Sequence, residues 1–143
     1  MTDTERTASL EIGQGQANTK MITKENCKGA DDSLSAASIA KAYNGGGKTD
    51  WFLPSRIELG ALCNEFFKGQ TEADISADKC MGSGNYSAVE GTTNELPWRF
   101  AAGFYWSSSE NFASYAWFQG FYNGYQGFND KSNALYVRPV RAF

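Results

Sequence analysis

The chain has 143 residues, with 13 Lys plus Arg against 16 Asp plus Glu, a formal net charge of −3 and no histidine. That length suits one domain, and near-balanced charge without a basic run disfavours nucleic acid as a partner and argues against membrane anchoring by a polybasic segment. The missing histidine removes the usual general base, the usual activator of a nucleophile and the commonest zinc ligand, which disfavours most hydrolase and zinc-site readings.

Residues 1–20 hold no apolar run of the length a signal peptide or a membrane span needs, so direct membrane insertion is not expected. A cell-surface, secreted or virion-associated location is compatible with this. Residues 1–11 read as an N-terminal arm. A first helix is expected near Asn18 to Cys27, and a second over Ser33 to Tyr43, where Leu34, Ile39 and Ala42 share one apolar stripe. Asn44, Gly45, Gly46 and Gly47 stop that helix. Trp51 to Pro54 reads as a short buried strand. Ser55 with Glu58 three residues later is a capping-box signature for a helix carrying Ile57, Leu59, Leu62 and Phe66. Between about Lys68 and Pro97 the sequence is polar and small-residue-rich, an excursion rather than a core element.

From Gly103 the character changes. Thirteen of the 21 aromatic residues fall in the last 41 positions, interleaved with Ser, Asn and Gly, which points to short strands at Phe104 to Ser108, Ala116 to Tyr122 and Leu135 to Ala142. Alternation along the middle strand places Trp117 and Phe121 inward and Phe118 and Tyr122 outward. The alternative is that Phe118 and Tyr122 complete a core against the N-terminal helices.

The three cysteines, Cys27, Cys63 and Cys80, show no CxxC spacing and are too few for a four-sulfur metal site. Either a Cys63–Cys80 disulfide closes a polar loop and leaves Cys27 unpaired, or all three are reduced and mostly buried. No metal and no cofactor is expected. Gly47-Lys48-Thr49 lacks the leading glycine of a phosphate loop, Ala42 standing in its place, and follows a helix rather than a strand. Gly13 and Gly15 are only a fragment of a dinucleotide fingerprint. Ser107, Ser108 and Ser109 read as strand and turn hydroxyls, having no histidine partner. Asn129, Asp130 and Asn133 offer oxygen atoms to calcium, but a solvated polar loop is the plainer reading. Arg138 and Arg141 are expected to pair with Glu58 or Glu110.

Four motifs in order, Asp50-Trp51-Phe52-Leu53-Pro54-Ser55 with Glu58-Leu59, Tyr105-Trp106-Ser107-Ser108-Ser109-Glu110, Ala116-Trp117, and Tyr136-Val137-Arg138-Pro139-Val140-Arg141-Ala142-Phe143, resemble the bacterial DUF1566 domains of the C-type lectin-like fold. The resemblance implies an α+β fold with N-terminal helices packed on a small antiparallel sheet with long loops, formed as one domain over residues 1–143. Neither Pro54, Pro97 nor Pro139 sits in the Glu-Pro-Asn or Gln-Pro-Asp loop of calcium-dependent sugar-binding lectins. Formylglycine-generating enzymes share the broader fold and use active-site cysteines, and this chain has none after Cys80. A non-enzymatic binding domain is therefore expected.

The block from Tyr105 to the C-terminus also resembles the variable proteins of diversity-generating retroelements, in which adenine scrambling turns AAC codons into any NNC codon. Phe118, Gly120, Tyr122, Asn123, Tyr125, Gly127, Phe128, Asn129, Asp130, Ser132, Asn133, Ala134, Leu135 and Tyr136 are all NNC-encodable. Trp117, Gln119, Gln126 and Lys131 are not, and would be fixed punctuation. With Phe112, Ser114 and Tyr115, the encodable positions make up the expected ligand-contacting surface, rich in rings of small rotamer cost and adaptable polar groups. The partner this implies is a protein, or a glycan, on a cell or phage-host surface. The competing reading is an invariant structural or cell-envelope module without diversification.

Overall fold

The computed structural model describes residues 9–68, 103–121 and 124–142. The tip of the expected arm (1–8), the polar excursion, Cys80, Tyr122 and Asn123 lie outside them. The architecture is α+β; the described residues form three α-helices, α1 (Gln14–Lys24), α2 (Ala36–Ala42) and α3 (Arg56–Lys68), followed by strands β1 (Phe104–Phe112), β2 (Tyr115–Gly120) and β3 (Gln126–Asp130). The strands form an antiparallel sheet in the order β1-β2-β3.

The third helix begins where its sequence says it should. Ser55 Oγ accepts from the Glu58 amide at 3.3 Å while Glu58 Oε2 accepts from the Ser55 amide at 2.7 Å, the reciprocal pair that satisfies two otherwise orphaned donors. Glu58 does more than cap its own helix. Its Oε1 also accepts from the amides of Gly13 at 2.7 Å and Gly15 at 3.4 Å, so one carboxylate pins the start of α1 to the start of α3. Gly15 is required by closeness, since a Cβ there would lie 2.9 Å from both the Leu53 carbonyl oxygen and the Ser55 amide. The helix over Gln14–Lys24 therefore starts four residues before the apolar pattern near Asn18 indicates, because its first turn is held by distant partners rather than by a local cap; Gly13 supplies no side-chain cap.

Around this junction lies a polar seam. Asn18 Nδ2 donates to the Ser9 carbonyl at 2.8 Å and to Ser108 Oγ at 3.2 Å; Ser109 Oγ donates to the Ser9 carbonyl at 2.7 Å and accepts from the Arg56 amide at 2.9 Å. Thr19 Oγ1 accepts from the Leu53 amide at 3.0 Å, and Ser55 Oγ donates to the Glu11 carbonyl at 2.7 Å. Buried hydroxyls and amides are tolerated because each has a partner. Ser9 to Glu11 are thus tied into the body of the domain.

Two apolar clusters flank the seam. Leu59, Cys63, Tyr105 and Phe121 pack between α3 and the sheet, and Ala37, Ala40 and Leu53 pack between α1 and α2, with Ile22 and Val137 against them. Tyr105 and Phe121 meet edge to face at 5.0 Å, the favoured ring geometry. The stripe expected on α2 is displaced. Leu34 and Ile39 are exposed, and the inward residues are Ala37 and Ala40. Ser35 caps the helix through the Ser38 amide, so Leu34 precedes it, and Ala37 and Ala40 are the residues that pack with Leu53 and Ile22. Cys63 is disulfide-bonded, while Cys27 is a free and exposed thiol.

The segment Leu135 to Ala142 is not a continuous strand. Tyr136 pairs alongside Tyr105, exchanging bonds with Trp106 and Phe104 at 3.0 Å, and Val140 pairs with Phe52 at 2.9 Å in both directions. Pro139 lacks the N–H a ladder needs, and between the two bridges the chain crosses from β1 to the Phe52 segment. β3, by contrast, falls in residues the sequence pattern leaves as polar loop. Its Gly127, Asn129 and Asp130 are weak strand formers, and the pairing with β2 imposes the conformation.

Arg141 closes the tail onto Asp50 through a two-toothed contact, Nη2 to Oδ2 at 2.9 Å and Nε to Oδ1, and lies over Trp51. Glu58 is committed to backbone amides and Glu110 to Lys131 at 2.8 Å, so neither is the partner of Arg141. The Arg141 hydrogen bond holds the Asp50 carboxyl below its ordinary range. A lowered carboxylate pKa stabilises the fold fully above the unfolded value of about 3.9 and loses that contribution as pH falls through the lowered value. Asp50→Asn should accordingly flatten the acid limb of a melting-temperature profile below about pH 4, leaving neutral-pH stability little changed because the pair is solvent-exposed. Glu58→Ala should lower the unfolding free energy by about 2–4 kcal/mol in urea titration, since it strips several backbone donors of their charged acceptor.

Candidate functional site

Strand register divides the aromatic residues between two faces of the sheet. Trp117 stands opposite Phe128 and Tyr115 opposite Asp130, whereas Phe118 stands opposite Gly127 and Ala116 opposite Asn129. On the first face, α3 covers Tyr105, Gln119 and Gln126 and then ends at its first residue, Arg56. Beyond that edge the rings emerge. The Arg56 guanidinium lies 3.7 Å over the Trp117 ring; Trp117 meets Phe128 edge to face at 5.6 Å; Phe128 meets Tyr115 at 5.8 Å. Phe112, paired with Tyr115 across the hairpin, extends the row. Phe112 is 57% exposed, Phe128 51% and Tyr115 39%, a row of rings that none of the described helices or strands covers.

Polar side chains under the row fix its position. Arg56 Nε donates to Gln126 Oε1 at 2.9 Å, and Gln126 Nε2 donates back to the Arg56 carbonyl at 3.0 Å. Gln119, completely buried beside it, donates to the Gly120 carbonyl at 3.1 Å. Its Oε1 has no hydrogen-bond partner, an orphan acceptor at the centre of the covered half of the face. Ser107 Oγ ties β1 to the Trp117 carbonyl at 2.8 Å. Burial lowers the Arg56 pKa, yet a guanidinium remains charged at neutral pH.

On the second face Phe118 is half-buried between Phe104 at 4.9 Å and Tyr125 at 5.9 Å. Gly127 sits beneath them, where a Cβ would come within 2.7 Å of Tyr125 and 3.0 Å of Phe118. Tyr125 is exposed; Tyr136 stacks on Tyr105 at 5.2 Å with its outer side open.

A sequence profile of the Lcl C-terminal domain family matches residues 5–141. The chain belongs to that family. No curated protein and no solved structure gives a significant match.

The positions expected on the contact surface of this Lcl C-terminal domain are spread over both faces and the turns. Phe112, Ser114, Tyr115 and Phe128 are exposed at the hairpin end of the first face; Phe118 and Tyr125 belong to the second; Gly120 and Gly127 are buried. Asn129, Asp130, Ser132, Asn133, Ala134, Leu135 and Tyr136 follow as the turn and the return to β1. Asn129 Oδ1 accepts from the Asp130 amide and from Asn133 Nδ2, both at 2.8 Å, and Asp130 Oδ1 accepts from the Ser132 amide at 2.9 Å. These oxygen atoms thereby close a local turn. The hydrogen bonds from Ser132 also lower the Asp130 pKa.

Arg56 was not among the candidates from sequence, although a signal exists. An arginine opening a helix can pair with an acid three or four residues on, and Leu59 and Gly60 stand there instead. Gln126→Ala should lower the unfolding free energy by about 1–3 kcal/mol, because it takes away both links to Arg56. Phe128→Ser, at a half-exposed site, should stay within about 1 kcal/mol of the parent in the same urea titration.

Proposed function

We propose that the chain is a non-enzymatic, C-type lectin-like ligand-binding domain, a variable protein of a diversity-generating retroelement that binds a protein, or else a glycan, on a cell or phage-host surface. The observation that carries this reading is the uncovered ring row of Phe112, Tyr115 and Phe128 on one sheet face. Exposed contiguous aromatic surface on a small domain marks an interaction site, and rings of few rotatable bonds supply contact area at small ordering cost.

A second observation supports the diversified form. The four positions that NNC codons cannot encode are all engaged in holding the framework. Trp117 carries Arg56; Gln119 bonds the Gly120 carbonyl; Gln126 locks Arg56; Lys131 bonds Glu110 and the Ala113 carbonyl at 2.8 and 2.9 Å. Between them stand encodable residues, of which Tyr125, Phe128, Ser132, Asn133, Ala134 and Tyr136 are exposed. On this reading the fixed side chains hold the hairpins while the exposed encodable positions carry the variation, the division of labour a diversified surface requires.

Sequencing the locus across a population tests it. The expected result is a neighbouring reverse transcriptase gene, a near-copy of the segment encoding residues 111–143 that differs at adenines, and variation concentrated at the encodable positions with Trp117, Gln119, Gln126 and Lys131 constant. An unvarying segment with no second copy would return the domain to an invariant cell-envelope module.

A further inference from the structure

We propose that Arg56 is a carboxylate-recognition point, seating an aspartate or glutamate side chain of a protein ligand whose neighbouring apolar side chain lies on Phe128 and Tyr115. This rests on the ring row being a contact face and names the chemistry that face selects.

The argument begins with charge. Lys131 is paired with Glu110 and Arg141 with Asp50. Arg56 is held differently. The one hydrogen-bond acceptor of its side chain among the described residues is the neutral Gln126 amide, its guanidinium lies over an indole, and none of the described carboxylates lies within ion-pair distance. Burial shifts its pKa downward. A partly desolvated cation without a counter-ion is costly unless something complements it.

Geometry makes the cation selective. Fixing Nε on Gln126 and laying the group on Trp117 removes most of the side chain's freedom, and among the described residues neither Nη group has an acceptor. Guanidinium presents such donors in a planar fork that matches the two oxygens of a carboxylate. Preorganisation of this kind reduces the ordering cost of binding. The site also sits at the end of the ring row, with Trp117 5.6 Å from Phe128, so a side chain adjacent to the bound acid has apolar surface to cover. A free inorganic anion would leave that surface unused.

The test is a titration of the full chain, followed by ¹⁵N–¹H NMR at the Arg56 Nε–H and Trp117 indole N–H, with N-acetyl-Asp-Trp-amide and its isostere N-acetyl-Asn-Trp-amide. The Asp peptide should shift both signals saturably and bind about tenfold more tightly than the Asn peptide. R56M, which keeps the apolar stem over Trp117, should abolish that difference, and R56K should retain only part of it; inorganic sulfate should not reproduce the shifts. Equal binding of the two peptides would overturn the carboxylate site while leaving the ring row as a contact face. Failure of both peptides to shift either signal, or an equal response to sulfate, would overturn it as well. The Asp–Asn comparison on the parent chain decides the matter even if R56M does not fold.

Discussion

The arrangement depends first on the Glu58 carboxylate. The start of α3, the start of α1 and the Ser55 turn all present backbone N–H groups at one place, and a helix terminus left without acceptors in a packed interior is strongly unfavourable. One side chain answers donors from Gly13, Gly15 and Ser55. Because Ser109 meets the Arg56 amide at the same end of α3, the junction also fixes where the helix lies on β1. Everything that follows on the sheet inherits that position, including the line at which α3 stops covering the rings.

The seam next to it is built from serine, threonine and asparagine rather than from apolar side chains. Hydrogen bonds of this kind contribute modestly when formed and cost more when one partner is lost. They specify a single seating where a purely apolar contact would accept several. In a domain whose exposed residues are proposed to vary, such specificity keeps the display geometry independent of what is displayed. The apolar clusters around Leu59 and Leu53 supply the complementary, non-directional part of the stability.

Local signals in the sequence were readable where the interaction itself is local. The Ser55–Glu58 cap is a three-residue spacing, and α3 begins as it indicates; β1 and β2 lie where the aromatic-rich segments indicate, β1 running on past Ser108 to Phe112 and β2 ending at Gly120. Interactions set by distant partners were not readable. The early start of α1 depends on Glu58, 45 residues away from Gly13. The partner of Arg141 is Asp50, 91 residues distant, and β3 exists because β2 is beside it, not because its residues favour strand. At the site, alternation along β2 foretold that Trp117 and Phe118 face opposite ways, but not that Phe112 and Phe128 join the Trp117 face, which is set by the register of β2 with β1 and β3. Arg56 escaped notice for the same reason: its meaning comes from Trp117 and Gln126, both contributed by the sheet.

That register has a consequence for how this segment can evolve. Side chains along β2 alternate between the α3-covered face and the opposite one, so inserting or deleting one residue would invert the whole strand, sending Gln119 away from its buried seat and the Trp117 ring out from under the guanidinium. Replacement of individual residues leaves the alternation intact. The hairpins can therefore absorb changes in letter but not in spelling length, and any process that reshapes this surface must work by substitution at constant residue count.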